Sequence, residues 1–288
     1  MSTKATPARV VASWPAAGGL AHEMRATVVV WRREMIRFRH DRVRIFTMLL
    51  QPLLFLFVMG TGLASVVRTD DGLDFRTFLF PGVLAVSVVF SAAFAGISLV
   101  WDREFGFLRE MLVAPVGKAS IMIGKCLGGA TTSTLQSVVL LTLAGLVGVP
   151  YHPLLMIELF ALLFVGAFML TAVGVLLSAR IRQLQAAMPA TQLVTMLMMF
   201  LSGALFPLAN LPGWLAVLTR LNPLTYLVQP MRAAIFERLD VPASAWAALD
   251  PSITWFGWQV PVGVQVLVAV AFAGAVFVAA VAAFDRTD

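Results

Sequence analysis

The sequence predicts an all-α membrane protein with six transmembrane helices. An amphipathic interfacial helix precedes them, a charged cytoplasmic helix lies between the second and third, and external re-entrant helices lie between the fifth and sixth. Three observations predict this. The 288 residues are 60% hydrophobic and only 12% charged, with a mean hydropathy of +0.89, whereas a soluble domain is nearer half apolar and a quarter charged. Six apolar runs approach or exceed the roughly 20 residues that a bilayer core requires. Between two of those runs stands a charged island beginning at Trp101. A helix carrying Asp102, Arg103, Glu104, Arg109 and Glu110 has to lie at a membrane surface, because such charges are costly in hydrocarbon.

Residues 1–21 are rich in Ala, Pro, Gly and Ser and read as a flexible cytoplasmic tail, with no apolar core of the kind a secretory leader has. Residues 22–44 form the interfacial helix. Met24, Val28, Trp31, Met35 and Phe38 recur at helical spacing, with Arg25, Arg32, Arg33, Arg39 and Asp41 largely off that stripe. A basic amphipathic helix with Trp on its apolar side lies in the headgroup plane; packing on a partner protein is the alternative.

The transmembrane domain covers residues 45–284, with spans expected at 45–67, 78–100, 126–149, 154–179, 186–208 and 260–284. Gln51 and Pro52 interrupt the first and kink it, which neighbouring helices can accommodate. Over residues 102–112 the island places Phe105, Leu108, Met111 and Leu112 on one apolar face. Sixteen Lys and Arg fall on the side of the tail and the island and five on the other, so both termini and the island face the cytoplasm.

Charge within the spans is scarce. Glu158, one turn into the fourth, reads as an interfacial carboxylate reaching water or backbone. Gly124 and Gly128 have the spacing of close helix approach. Thr131 to Gln136 form a polar cluster in the third span, read as helix packing. Thr191, Gln192, Thr195, Met199 and Ser202 of the fifth span are candidates for a substrate path, with packing equally open. Beyond them, residues 209–259 read as two short helices, 214–221 and 224–239, too short to span. Trp214, Trp246, Trp255, Trp258 and Tyr226 mark this segment as interfacial, capping a cavity from outside.

No enzymatic site is legible. His22, His40 and His152 are scattered, the lone Cys126 builds neither a disulfide nor a thiolate cluster, and Gly117-Lys118-Ala119 is not a phosphate-binding loop. The net charge of +6 belongs to membrane topology, not to nucleic acid.

The run Asp102-Arg-Glu-Phe-Gly-Phe-Leu-Arg-Glu-Met-Leu-Val-Ala-Pro115, followed by Gly124-Lys125, resembles the signature of ABC-2 type exporter permeases, the membrane subunits of bacterial ATP-binding-cassette exporters. Phe206-Pro207, Leu211-Pro212, Asn222-Pro-Leu-Thr-Tyr226 and Arg232 extend the resemblance over about residues 25–284. Phe107 and Arg109 depart from the family's usual Thr and Glu. The branch is that of drug-resistance and nodulation permeases. The resemblance implies that residues 102–112 form a coupling helix in a groove of a separate ATPase, through Asp102, Arg103, Glu104, Phe105, Gly106, Leu108, Glu110 and Leu112. It also implies a pore of two permease copies, identical or paralogous, with two cytoplasmic ATPase subunits that bind ATP and Mg; this chain holds no cofactor itself. An external gate would involve Phe206, Pro207, Asn222, Pro223, Tyr226 and Arg232. The expected setting is the bacterial cytoplasmic membrane, and the expected cargo is amphipathic or hydrophobic: a drug, lipid or glycolipid-like molecule. An ion-coupled carrier would need buried acids, which are nearly absent; a non-transporting scaffold is the other alternative.

Overall fold

The computed structural model describes residues 19–64, 75–114, 116–181, 183–208, 211–239, 253–255 and 257–287. Most of the expected tail, Trp246 and Pro115 lie outside them. Helix α1 (Leu20–His40) leads through Asp41 to α2 (Arg42–Leu54). A wide π turn at Phe55–Met59 then joins α2 to α3 (Gly60–Ala64). Pro52 lies inside α2, and the π turn just beyond it is the distortion the sequence placed near Gln51. Then come α4 (Phe75–Glu104), α5 (Phe107–Val113), α6 (Lys118–Leu141), a 3-10 turn at Ala144–Val147, α7 (Pro153–Arg180) and α8 (Leu184–Phe200). The chain closes with α9 (Gly213–Leu221), α10 (Thr225–Phe236), a hairpin of β1 (Thr254–Trp255) and β2 (Trp258–Gln259), and α11 (Val262–Thr287).

Four helices among the described residues are long and apolar enough to cross a membrane: Arg42–Gly62, Phe75–Glu104, Pro153–Arg180 and Val262–Arg286. The protein is a multi-pass helical membrane protein. Helix α6, at 24 residues, exceeds the shortest of these, but its Gly, Ser, Thr and Lys residues lower its hydropathy and mostly face other helices. Helix α8 is the shorter one. It stops at Phe200 instead of running to residue 208, because the chain turns there with Gly203 at φ 72°. The two-residue strands, Thr254 opposite Gln259 and Trp255 opposite Trp258, were not expected.

Helix α4 is the axis of the fold. Its apolar stretch is 89% buried, against 17% for α2 and 22% for α11. Helix α4 packs on α7, α6, α8 and α10, whereas the more apolar α11 leaves most of its surface open. The closest approach is to α7: a Cβ added at Gly96 would stand 2.4 Å from the Cα of Gly174. No side chain fits there, so Gly96→Ala is expected to cost about 1–3 kcal/mol by overpacking, read as a lower thermal midpoint of the purified protein in detergent. One end of the bundle, the basic end, gathers α1, α5 and the charged residues around Asp102. The far end carries α9, α10 and the hairpin.

Candidate functional site

At the basic end α4 stops at Glu104 and the chain reverses at Phe105 and Gly106. Gly106 adopts φ 81° with open space around the position a Cβ would take, so the requirement there is conformational. This corrects the single helix expected over residues 102–112. Asp102, Arg103 and Glu104 complete α4, and the hung element α5 starts at Phe107. The apolar face also points the other way. Leu108 is buried against the protein's own core, and Met111 and Leu112 pack beside it. The surface left open consists of Phe105 (62% exposed), Phe107, Arg109, Glu110 and Val113.

The three charged residues before the break each tie a different part of the bundle. Asp102 is buried, pairing with Lys125 of α6 at 2.5 Å and Arg33 of α1 at 2.7 Å. Lys125, equally buried, also reaches Glu34 of α1 at 3.1 Å and donates to the Ser98 hydroxyl. Arg103 donates to the carbonyls of Ser178 and Ile181 at the end of α7, where helix carbonyls lack internal partners. Glu104 accepts from the backbone N–H of Leu184, the first residue of α8. Asp-Arg-Glu therefore fastens α1 and α6, α7 and α8 to the base of α4. Arg33 also lies over the Phe107 ring at 5.4 Å and donates to the Met111 sulfur, so α5 is attached to the same network.

Helix α1 lies along α6. A Cβ on Gly124 would come within 2.7 Å of Val30, and one on Gly128 within 2.7 Å of Glu34. The small-residue pair thus serves the first helix rather than another span. The face of α1 turned inward includes Glu23, Thr27, Val30 and Glu34, while Met24, Val28, Val29 and Ile36 point outward. The outward side is mixed, because Arg25 and Arg32 are exposed among those apolar residues. The Trp31 indole donates to Thr131, so one member of the polar cluster in α6 anchors this helix.

Glu23 accepts from Ser120 and from the N–H of Gly117 at the start of α6, and these bonds hold its carboxyl below the usual carboxylate range. A depressed folded pKa gives stability that is present above the unfolded value of 4.5 and lost as pH falls through the lower, folded value. Backbone amides of α1 are therefore expected to exchange faster, relative to α7, as pH drops below about 4.5, and Glu23→Gln should remove that dependence.

At the far end, α10 folds back onto α4, α7 and α11, and Asn222, just past α9, ties that end to α8. Asn222 donates to the carbonyl of Met198 and accepts from the N–H of Leu224, and the Tyr226 hydroxyl donates to the backbone carbonyl of Arg220 and accepts from the Trp255 indole. Arg232 is fully buried, 4.2 Å from the Phe78 ring centre, and donates to the carbonyl of Gly203. Pro223 is half-buried at the bend between α9 and α10, and Phe206 and Pro207 are half-buried beyond the Gly203 turn. Glu158, its side chain 40% exposed, pairs with Arg238 at 3.0 Å, joining α7 to the end of α10.

Three adjoining cavities of about 290, 270 and 410 Å³ run along α4 between α2 and α8, all bordered by Phe94. Thr191, Gln192 and Thr195 line the 270 Å³ one together with Phe90 and Met188. Met199 and Ser202 do not reach it. Both are buried, and the Ser202 hydroxyl bonds the turn that ends α8.

With this arrangement in view, a family model described as ABC-2 type transporter matches residues 25–236, from α1 through α10. The chain belongs to the ABC-2 type transporter family. Among similar proteins, "Nodulation protein J" of Sinorhizobium fredii is 26% identical over 214 residues, covering 73% of this chain and 81% of its own. The "probable doxorubicin resistance ABC transporter permease protein DrrC" of Mycobacterium tuberculosis is 26% identical over 72% of this chain and 75% of its own. The "putative transport permease ycf38" of Pyropia yezoensis is 31% identical over 72% and 70%. In this ABC-2 type chain the match takes in most of α1, the charged network and the far-end helices, and stops before α11. The sequence alone did not single out Glu34, Arg37, Arg44, Phe94 or Ser98 of the network and groove in this family member. The one available signal was Arg44 standing next to the apolar start of the first span, where it was counted only as a topological charge.

Proposed function

We propose that this chain is the membrane subunit of an ATP-driven exporter whose energy comes from a separate cytoplasmic ATPase. The observation that carries the proposal is α5: a short helix hung from the central helix, with aromatic and charged residues open to the outside and its base bonded to four other helices. Force on Phe105, Phe107 or Glu110 passes through Asp102, Arg103 and Glu104 into α1, α6, α7 and α8. In this reading the basic end is cytoplasmic, and α6 and α8 complete six crossings. Two copies of the chain, or one copy and a paralogue, form the path, and two ATPase subunits bind ATP and Mg. The lines of support are the match over residues 25–236 and the similar proteins named as a doxorubicin resistance ABC transporter permease and a transport permease. The cargo is amphipathic or hydrophobic, and α9 and α10 gate its exit. The test is co-expression with the ATP-binding-cassette protein of the adjacent reading frame: a tag on this chain is expected to retain that protein from detergent extracts. An adjacent ATPase that leaves the tagged chain alone contradicts the proposal.

A further inference from the structure

Charge bookkeeping at the basic end leaves one cation over. Arg33, Arg37, Arg44 and Lys125 face Glu34, Asp41 and Asp102. Lys125 takes Glu34 and Asp102, Arg33 takes Asp102, and Arg37 stands 3.8 Å from Asp102 over the Trp101 ring. The Asp41 carboxylate caps the N-terminus of α2 by accepting from the backbone N–H of Arg44. Among the described residues the Arg44 guanidinium makes no hydrogen bond and no ion pair; it lies 6.0 Å from the centre of the Phe94 ring, half-buried. It borders two of the three cavities that meet at Phe94. A cation removed from water without a partner is costly, and an anion supplied by a ligand offsets that cost.

The cavity on the other side of Phe94 carries a second such group. Thr191 is 2% exposed, its hydroxyl has no hydrogen-bond partner among the described residues, and it lines this cavity beside Phe90, Ile97 and Met188. Buried hydroxyls are normally satisfied. The wall therefore presents a guanidinium with no hydrogen bond or ion pair, a hydroxyl with no hydrogen-bond partner among the described residues, and apolar and aromatic side chains beside them.

We propose that the groove between α2, α4 and α8 binds a single-headed anionic amphiphile drawn from the adjacent bilayer leaflet. Its anionic head sits at Arg44 and Arg37, a polar linker such as an ester carbonyl accepts from Thr191, and its hydrocarbon lies along Phe90, Phe94 and Met188. This deepens the exporter reading by naming the chemistry of the cargo and rests on that reading only for the word cargo. Binding is measured without any ATPase, so its failure is distinct from failure of the exporter reading.

The test uses the purified full chain, with dioleoyl phosphatidylglycerol and dioleoyl phosphatidylcholine as probes and retained lipid read by native mass spectrometry. The wild type is expected to keep the anionic lipid over the zwitterionic one by roughly tenfold, the scale of a hydrogen bond to a charged group. Arg44→Gln should abolish that preference, Arg44→Lys should keep most of it, and the exposed control Arg42→Gln should leave it intact. Excess inorganic phosphate should not displace the lipid. A preference that survives Arg44→Gln, falls equally with Arg42→Gln, or is lost to phosphate alone overturns the proposal. Should Arg44→Gln fail to fold, the wild type decides. Phosphatidylglycerol with a photoactivatable tail is expected to crosslink within residues 90–94 and 188–195, and crosslinks confined elsewhere overturn the proposal.

Discussion

Asp102→Ala is expected to destabilise the protein by about 3 kcal/mol, the lower end of the range for breaking a buried ion pair. The figure sits at the lower end because Lys125 keeps Glu34 at 3.1 Å and Arg33 is partly exposed, so neither partner is left wholly unanswered. The loss should not be uniform. Asp102 joins α4 to both α1 and α6, so α1 should detach before the α4–α7 core opens. Hydrogen exchange would show this as protection lost over residues 20–40 while residues 88–97 stay protected. A cycle with Lys125→Met should give an interaction energy of at least about 1 kcal/mol, as residues in one charged network do not add independently. Strict additivity would mean that the contact contributes nothing to stability.

Phe105→Ala combined with Phe107→Ala is expected to lower affinity for the ATPase subunit at least 30-fold, the scale on which a central aromatic anchor at an interface matters, about 2 kcal/mol or more. Both rings are open at the basic end; Phe105 leans on Trp101 with centroids 5.5 Å apart, and Phe107 lies beneath Arg33. Little core is disturbed, so membrane insertion and thermal midpoint should hardly change. Leu108→Ala is the useful contrast. Its side chain is buried against Leu99, Ile121 and their neighbours, so it should lower stability by about 2–5 kcal/mol and affect ATPase binding only through that loss. Equal effects of the two changes on ATPase affinity at a temperature where both proteins are folded would argue against the exposed aromatics as the docking surface.

The long apolar helices were legible because hydrocarbon demands length and hydropathy, and both are properties of a continuous run. Helix ends were less so. Residues 102–112 read as one helix because their apolar spacing is helical throughout, and only the left-handed conformation of Gly106 divides them. The same stretch shows why charge was misplaced. Asp102 looked like a surface residue because its partners, Arg33 and Lys125, lie 69 and 23 positions away, and pairing of that kind leaves no trace in local pattern. Gly124 and Gly128 signalled a close approach, but nothing in their spacing named α1 as the helix received. The hairpin Thr254–Trp255 with Trp258–Gln259 is too short for alternation to appear. Thr191, Gln192 and Thr195 could be picked out as polar groups on an apolar helix, but the groove they line exists only once α2 and α8 flank α4.

The account stands on α5 being a cytoplasmic docking surface, and one measurement addresses that directly. Val113, 86% exposed at the end of α5, is replaced by cysteine in the full chain, whose native Cys126 is buried. A membrane-impermeant maleimide is then applied to intact cells and to inverted membrane vesicles, with and without the ATPase subunit. The expected result is labelling in inverted vesicles alone, suppressed when the ATPase is present. Labelling of intact cells from the medium would contradict the account.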